Sequence, residues 1–276
     1  MIELKLISDQ VARLLPLLGS QRFAPELASL LREWVNIDEV SLMIYPVSSS
    51  PSIVYRENPQ EESGLETYRT GPFLLDPYYV AAAKERRFGF FALKQLAPRG
   101  FKKSEYYRIY YRYSGLMDEC GYLVELHDGA FANLSIARKE GSRHFERVAL
   151  RQLESLTSMI AGFLNSHYQS LSQRTITTQG AVNMRAQLEH ALAGFGSNLL
   201  TPREQQIINA ILHGHTSKAL ASDLGISVET VKLHRKNAYR KLTVRNQTEL
   251  FHAFIQSLKE QRVRESSPPT ITAIRN

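Results

Sequence analysis

The 276-residue sequence lacks the features that mark secreted, membrane or metal-binding proteins. Its one cysteine, Cys120, excludes an internal disulfide and a zinc site built on cysteines. No apolar run approaches the roughly 20 residues of a membrane helix, and the N-terminus lacks the basic and apolar segments of a signal peptide. We therefore expect a cytoplasmic protein with no metal, no cofactor and no membrane contact.

Positive charge is concentrated near the C-terminus. Residues 196–276 contain twelve Lys and Arg against six Asp and Glu, and so carry +6 of the net charge of +7. Basic units of this size usually bind nucleic acid or an anionic surface, but a solvated basic surface without a partner gives the same count. Charge alone leaves both alternatives open.

The pattern of polar segments predicts two domains. Residues 171–196 are polar and lack a sustained hydrophobic period, which predicts a linker containing a short helix over Val182–Leu192. We assign residues 1–170 to a first domain and 197–262 to a second. Residues 263–276 contain paired prolines and little to bury, and are expected to form a flexible tail.

The first domain is predicted to be α+β. Five short apolar or β-branched runs predict one sheet, and the sequence HDGA at 127–130 predicts a hairpin turn. Amphipathic spacing predicts a helix over Phe23–Val35 and one long helix over His144–Tyr168, whose apolar stripe suits packing on the sheet or on a second chain. The expected strands are Val40–Tyr45, Ser52–Tyr55, Phe88–Leu93, Gly121–Leu126 and Ala130–Ala137.

The second domain has the spacing of a helix-turn-helix. Thr201, Pro202 and Glu204 form a capping box for its first helix. A second helix, Ser217–Leu224, is followed by Gly225, which suits the positive φ of a tight turn. Ser227 then caps a third helix. Its core positions are expected to be Val231, Ala238 and Leu242, and its opposite face carries Lys232, Lys236, Tyr239 and Arg240. Such a basic helix suits the major groove of DNA.

Residues 200–250 strongly resemble the LuxR/NarL-type (GerE-like) DNA-binding domain. The matching positions are Leu200, Thr201, Arg203, Glu204, Gly214, Lys218, Ala221, Leu224, Ile226, Ser227, Thr230, Val231, Lys232, His234, Asn237, Lys241 and Leu242. The resemblance implies an all-α four-helix domain whose fourth helix, Gln247–Ser257, makes dimer contacts. It also implies that Val231 and Lys232 approach bases, and that phosphates are contacted by Lys218, Thr230, His234 and Asn237. The full expected set of DNA-binding residues is Thr216, Ser217, Lys218, Ser227, Thr230, Val231, Lys232, His234, Arg235, Lys236, Asn237, Arg240 and Lys241.

The first domain resembles, less specifically, the GAF/PAS-like sensory domains that are attached to LuxR-type helices. Stretches 74–98, 104–126 and 132–138 carry the resemblance and most of the aromatic residues. Tyrosine combines apolar area with a hydroxyl, so this concentration suits either a core or an amphiphilic ligand pocket. The expected pocket residues are Trp34, Tyr78, Tyr79, Phe91, Tyr106, Tyr110 and Tyr113. Because acyl-homoserine-lactone receptors resemble one another in a pocket lined by tryptophan and tyrosine, the single tryptophan of this chain disfavours that ligand without excluding it.

These patterns predict a bacterial LuxR-type transcriptional regulator that is not an enzyme. Expected partners are double-stranded DNA with a pseudo-palindromic operator, a second copy in a homodimer, a small-molecule effector or protein partner, and RNA polymerase. One alternative is a ligand-independent regulator whose first domain only dimerises or contacts protein. The other is an enzyme with an autoregulatory helix-turn-helix, with Asp76, Glu105, Asp118 and Glu119 as paired carboxylates. Cys120 is expected just before a strand, as a buried apolar side chain or a redox-sensing thiol.

Overall fold

The computed structural model describes residues 4–47, 50–57, 68–69, 71–111, 114–127, 129–172 and 192–266. In these residues no helix is long and apolar enough to cross a membrane. The predicted linker falls largely on residues 173–191, which lie outside the described residues together with most of the predicted helix Val182–Leu192.

A five-stranded antiparallel sheet in the order β2-β1-β5-β4-β3 forms the centre of the N-terminal domain. At the tip of the β4–β5 hairpin Gly129 has a φ of 81°, and the Leu126 N–H donates to the Ala130 carbonyl oxygen at 2.9 Å. The fold class, the five strands and the hairpin are confirmed. The strands are β1 (Glu39–Tyr45), β2 (Ser52–Arg56), β3 (Gly89–Ala92), β4 (Leu116–Glu125) and β5 (Phe131–Lys139).

Strand β4 begins five residues before its predicted start, so Cys120 lies inside the strand and not before it. The two acids in the added part of the strand have partners: Asp118 accepts a hydrogen bond from the Phe145 N–H, and Glu119 accepts one from the Ser135 hydroxyl. Cys120 is fully buried, and burial raises the pKa of its thiol. This environment is that of a packing side chain, because a reactive cysteine needs exposure and a lowered pKa.

Successive side chains of each strand point to opposite faces of the sheet, and both faces are covered. Leu42, Ile44, Tyr122 and Ile136 belong to a core formed with the helices at both ends of the domain. Alternate residues of the same strands belong to a second core that is rich in aromatic side chains and includes the C-terminal domain. The helices of the N-terminal domain are α1 (Leu4–Leu14), α2 (Phe23–Trp34), α3 (Pro77–Ala83), α4 (Leu93–Leu96), α5 (Arg147–Ser155) and α6 (Thr157–Ser172).

The single helix predicted over His144–Tyr168 is wrong, because the chain forms two helices that meet at Leu156. There the backbone tightens to φ −86° and ψ −2°, and the Leu156 N–H donates to the Leu153 carbonyl oxygen at 3.0 Å. Leu153 and Ile160, on either side of this turn, are both fully buried. The tight turn thus lets both helices bury their apolar stripes against the sheet.

The C-terminal domain contains four helices in the described residues, which confirms its predicted all-α class. They are α7 (Pro202–Leu212), α8 (Ser217–Asp223), α9 (Val228–Lys241) and α10 (Gln247–Ser266). Fully buried side chains from three of them, Ile207, Val231, Ala238, Leu250 and Phe254, form the centre of the domain. Helix α10 extends nine residues past its predicted end at Ser257, into the stretch assigned to the tail.

Candidate nucleic-acid interface and sensor core

The predicted capping box at the start of α7 is present and is linked to α9. The Glu204 N–H donates to Thr201 Oγ1 at 3.3 Å, and Glu204 Oε2 accepts from the Thr201 N–H at 2.8 Å. The same carboxylate lies 2.7 Å from Lys241 Nζ, and this ammonium holds the pKa of the buried Glu204 below its usual range. Lys241, expected on DNA, is therefore engaged in an ion pair that joins the end of α9 to the start of α7.

Local hydrogen bonds fix the entry into α8 and α9. Thr216 Oγ1 accepts from the Ala219 N–H at 3.1 Å, and Ser227 Oγ accepts from the Thr230 N–H at 3.0 Å. Between the two helices Gly225 has a φ of 62°, a conformation that glycine adopts without steric cost. The Gly225 turn and the Ser227 cap are as predicted from the sequence, whereas the Thr216 cap was not predicted.

The exposed face of α9 carries the basic side chains. Lys232, Lys236 and Arg240 are exposed, and the only acid on α9, Glu229, lies 3.8 Å from Lys232 in an ion pair whose partners are both largely solvated. A solvated ion pair of this kind contributes little to stability, so Lys232 remains free to bind another partner. Next to them His234, Arg235 and Asn237 are half-buried. The face is therefore cationic, with Glu229 as the one acid of α9 beside it.

The structure corrects the expectation that Val231 approaches bases. Its side chain is fully buried with Ala238 in the domain core. A β-branched side chain at this position anchors α9 from beneath, so Lys232, one residue on, is presented outward. Of the other expected residues, Lys218 and Ser227 are exposed and Thr216, Ser217 and Thr230 are half-buried, all within the first turns of α8 and α9.

The predicted pocket tyrosines belong to an aromatic core on one face of the sheet. Tyr79 is fully buried, with its ring centroid 4.9 Å from that of Phe73 and 5.9 Å from that of Phe131. Tyr45 stacks on Phe131 at 4.6 Å. Tyr78 is also buried, and its hydroxyl donates to the Phe91 carbonyl oxygen at 3.3 Å. Alternation in β1 and β5 could have identified Tyr45 and Phe131, which the sequence reasoning missed.

A hydrogen-bond network centred on Asp76 crosses this core. Asp76 Oδ2 accepts from the hydroxyls of Tyr68 at 2.9 Å and Tyr106 at 2.8 Å, while Oδ1 caps α3 by accepting from the Tyr78 N–H at 2.8 Å. The Tyr45 and Tyr68 hydroxyl oxygens are 2.7 Å apart. Burial raises the pKa of Asp76, and the hydrogen bonds oppose that rise. The Asp-Pro pair at the start of α3 was the signal for this cap.

Not every predicted pocket residue lies in this core. Trp34 packs with the helices on the opposite face of the sheet, and its Nε1–H donates to Gln10 Oε1 at 2.8 Å. The apolar stripe of α2 faces the sheet and directs this terminal residue onto α1. Tyr110 stacks on Tyr106 with centroids 5.7 Å apart, next to a π-helical turn at 107–111, and Tyr113 lies outside the described residues. Phe91 is half-buried.

The segment 100–111 also contacts the C-terminal domain. A Cβ on Gly100 would lie 2.2 Å from the Gly214 carbonyl oxygen, so the two backbones touch. Thr248 Oγ1 on α10 donates to Glu105 Oε1 at 3.0 Å, and the ring of Tyr110 lies 6.2 Å from that of Phe251. One segment therefore joins the Asp76 network to the loop before α8 and to α10.

Comparison with known proteins agrees with this architecture. Residues 198–254 match the family described as bacterial regulatory proteins, luxR family. The C-terminal domain is a luxR-family helix-turn-helix domain. In the residues that the structure describes, no group of three or more His, Cys, Asp and Glu side chains is placed to hold a metal ion.

Similarity extends beyond the luxR-family domain. The chain is 28% identical over 186 residues to an HTH-type transcriptional regulator from the exeN 3′ region of Aeromonas salmonicida, covering 66% of this chain and 94% of that one. It is 29% identical over 138 residues to the transcriptional activator protein CarR of Pectobacterium carotovorum. This match covers 50% of this chain and about half (51%) of CarR.

The N-terminal fold has a counterpart among solved structures. The LBD domain of VqsR from Pseudomonas aeruginosa is similar with a TM-score of 0.52 and 26% identity, covering 59% of this chain and 97% of that one. The C-terminal domain thus matches the luxR family, and the α+β domain is similar in fold to the LBD domain of VqsR.

Proposed function

We propose that this protein is a homodimeric cytoplasmic transcription factor that reads a pseudo-palindromic operator and responds to a small molecule bound by its N-terminal domain. The observation that carries the proposal is the exposed basic face of α9, held on a capped helix-turn-helix core. The relatives are regulators, which favours binding over turnover, so we propose that the chain is not an enzyme. RNA polymerase is the expected protein partner.

On DNA, α9 would lie in the major groove. Lys232 and Lys236 are long, exposed cations that reach guanine edges or phosphates from such a position. Lys218, Thr230, His234 and Asn237 flank them and would contact phosphates, which fix the register of the helix without reading sequence. Two copies related by a two-fold axis would place two such helices on half-sites one helical turn apart.

Regulation would act through the contact of segment 100–111 with the C-terminal domain. Tyr106 on this segment donates to Asp76 inside the N-terminal core, and Tyr110 lies against Phe251 of α10. A ligand that binds the docked and undocked arrangements with different affinity shifts the population between them. Because α10 is the helix expected to make dimer contacts, its docking would set the dimer geometry on the operator.

Replacing Lys232 with alanine tests the DNA-binding mode. We expect the affinity for an operator selected by the wild-type protein from random-sequence DNA to fall by about 1–3 kcal/mol, and that for random DNA to fall less. Fluorescence anisotropy at fixed salt measures both. Lys5→Ala, at an exposed lysine of α1, is the matched control and should bind as the wild type does. Equal losses on both DNAs would make Lys232 a phosphate contact, and no loss would contradict the assignment of α9 as the reading helix.

Replacing Gly100 with alanine tests the interdomain contact. The new methyl group would meet the Gly214 carbonyl oxygen and lie 2.8 Å from Thr216 Cγ2, so the two domains must separate locally. Overpacking of this kind costs about 1–3 kcal/mol, and hydrogen exchange should become faster around residues 100–111 and 214–216. Gly162→Ala is the control, because no atom beyond its chain neighbours and the nearby backbone of its own helix lies within 4 Å of its Cβ position. Unchanged exchange in Gly100→Ala would contradict the contact.

A further inference from the structure

Hydrogen-bond acceptors lie together on the aromatic face of the sheet, beside the Asp76 network. Glu119 on β4 and Asn133 and Ser135 on β5 are each more than nine-tenths buried. The Ser135 hydroxyl donates to Glu119 Oε1, whereas Asn133 Oδ1 has no hydrogen-bond partner in the part of the chain that the structure describes. Buried acceptors are nearly always satisfied in folded proteins, so the Asn133 oxygen has capacity for a donor that the described residues do not supply.

The strand register brings these acceptors next to each other. Gly121 pairs with Ser135 and lies two residues after Glu119, on the same face of β4. Asn133 Oδ1 is 3.4 Å from the position that a Cβ on Gly121 would occupy. The amide oxygen therefore lies over the glycine, on the face of β4 that also carries Glu119. We call Glu119, Asn133 and Ser135 the acceptor site.

The acceptor site is acidic, because the largest influences on Glu119 include two further acids and no cation. Burial raises the pKa of Glu119 to about 8, and the charges of Asp76 and Asp118 raise it as well. The Ser135 and Tyr111 hydroxyls oppose this rise, and neither is charged. Asp76 already accepts four hydrogen bonds, from two tyrosine hydroxyls and two backbone N–H groups. Glu119 is thus the carboxyl group that has capacity for a further donor.

We propose that the acceptor site binds a small amine with an apolar body, whose protonated nitrogen donates to Glu119 and to Asn133 Oδ1. This inference rests on the proposed function, since it names the ligand class of the N-terminal domain. An ammonium group has three donors, which match the carboxylate and the amide oxygen. Its charge favours the ionised carboxyl group and so offsets the burial that keeps Glu119 protonated without ligand.

The position of the site links the amine to DNA binding. The Tyr111 hydroxyl acts on Glu119, and Tyr106 on the same segment donates to Asp76. Phe131, two residues before Asn133 on the same face of β5, is buried and stacked on Tyr45, so the apolar body would have to pack against the edges of these rings. An amine at Glu119 would therefore change the contacts of segment 100–111, which also contacts α10.

The test compares three probes of matched shape: 2-phenylethylamine, 2-phenylethanol and 3-phenylpropionate. Binding to the full-length protein is measured by calorimetry at neutral pH for the wild type, for Glu119→Gln and for Glu125→Gln. Glu125 is an exposed acid on the same strand and serves as the control. We expect the wild type to prefer the amine, with affinity lost by about tenfold or more in Glu119→Gln and unchanged in Glu125→Gln.

Asn133→Ala is a second variant, useful if Glu119→Gln fails to fold, and it too should weaken binding of the amine but not of the alcohol. Preference for the alcohol or the carboxylate would overturn the amine assignment while leaving a ligand-regulated protein. Absence of binding by all three probes, or equal amine binding by all variants, would also overturn it. Operator binding by the same preparations shows separately whether the proposed function holds.

Discussion

Replacing Phe254 with alanine is expected to destabilise the C-terminal domain by about 3–5 kcal/mol and to abolish operator binding. Phe254 of α10 is fully buried and packs edge-on against Phe195, with ring centroids 5.5 Å apart. Truncation leaves a cavity at the junction of α10 with the chain that enters the domain. At about 0.05–0.15 kcal/mol per residue, a domain of this size has a total stability of only a few kcal/mol, so this loss would unfold much of it.

The control for Phe254→Ala is Leu233→Ala. Leu233 is a large apolar residue on α9 that is 57% exposed, so its truncation should change stability by less than about 0.5 kcal/mol. Urea denaturation followed by far-ultraviolet circular dichroism measures both variants, and anisotropy measures their DNA binding. If Phe254→Ala were as stable as Leu233→Ala, α10 would not belong to the cooperative core described above.

Acidification from about pH 7 to about pH 4.5 is expected to lower the free energy of unfolding by roughly 2–3 kcal/mol through the protonation of His167 alone. His167 on α6 is buried, stacks on Phe23 with centroids 4.1 Å apart, and accepts a hydrogen bond from the Gly19 N–H at Nδ1. Burial lowers its pKa to about 4, while an unfolded histidine has a pKa of about 6.5. Because the unfolded state binds the proton more tightly, the stabilisation is complete above about pH 6.5 and is lost as the pH falls towards 4.

The free energy of unfolding, measured in urea across this pH range, should fall less steeply for His167→Gln than for the wild type. The variant loses the ring stack and is therefore less stable at neutral pH. For this reason the two proteins are compared by the slope of the free energy of unfolding against pH and not by its absolute value. His213, whose pKa burial also lowers to about 4, contributes in the same direction and is common to both proteins. His252→Asn, at an exposed histidine, is the control. Identical slopes for His167→Gln and the wild type would show that His167 does not titrate as proposed.

The helix-turn-helix was predictable because its determinants are local. Thr201, Ser227 and Gly225 each act through neighbours within a few residues, so sequence spacing determines the caps and the turn. The strands were predictable for the same reason, since alternation is a property of each strand. The start of β4 was nevertheless predicted five residues too late, because Asp118 and Glu119 have hydrogen-bond partners 27 and 16 residues away in the sequence.

The aromatic core around Asp76 was not predicted, because its contacts join residues that are far apart in the sequence. Tyr68 and Tyr106 reach Asp76 from positions 8 and 30 residues away, and the tyrosines alone did not indicate an acid between them. Trp34 was grouped with the pocket by residue type, whereas the direction of α2 places it on the opposite face. The break at Leu156 preserves the apolar spacing on both sides, so periodicity could not reveal it.

In the proposed regulation, the touching backbones of Gly100 and Gly214 would help to determine how firmly the C-terminal domain docks on the N-terminal domain. A ligand changes operator occupancy only by the free energy with which it shifts the docked population. Moving that population from about 1% to about 99% needs roughly 5.5 kcal/mol of differential binding. If docking opposes operator binding, a loosely docked domain would show high basal activity and a small response, while a tightly docked one would demand a ligand of high affinity. The close packing at these two glycines would therefore tune both the basal output and the sensitivity of the switch.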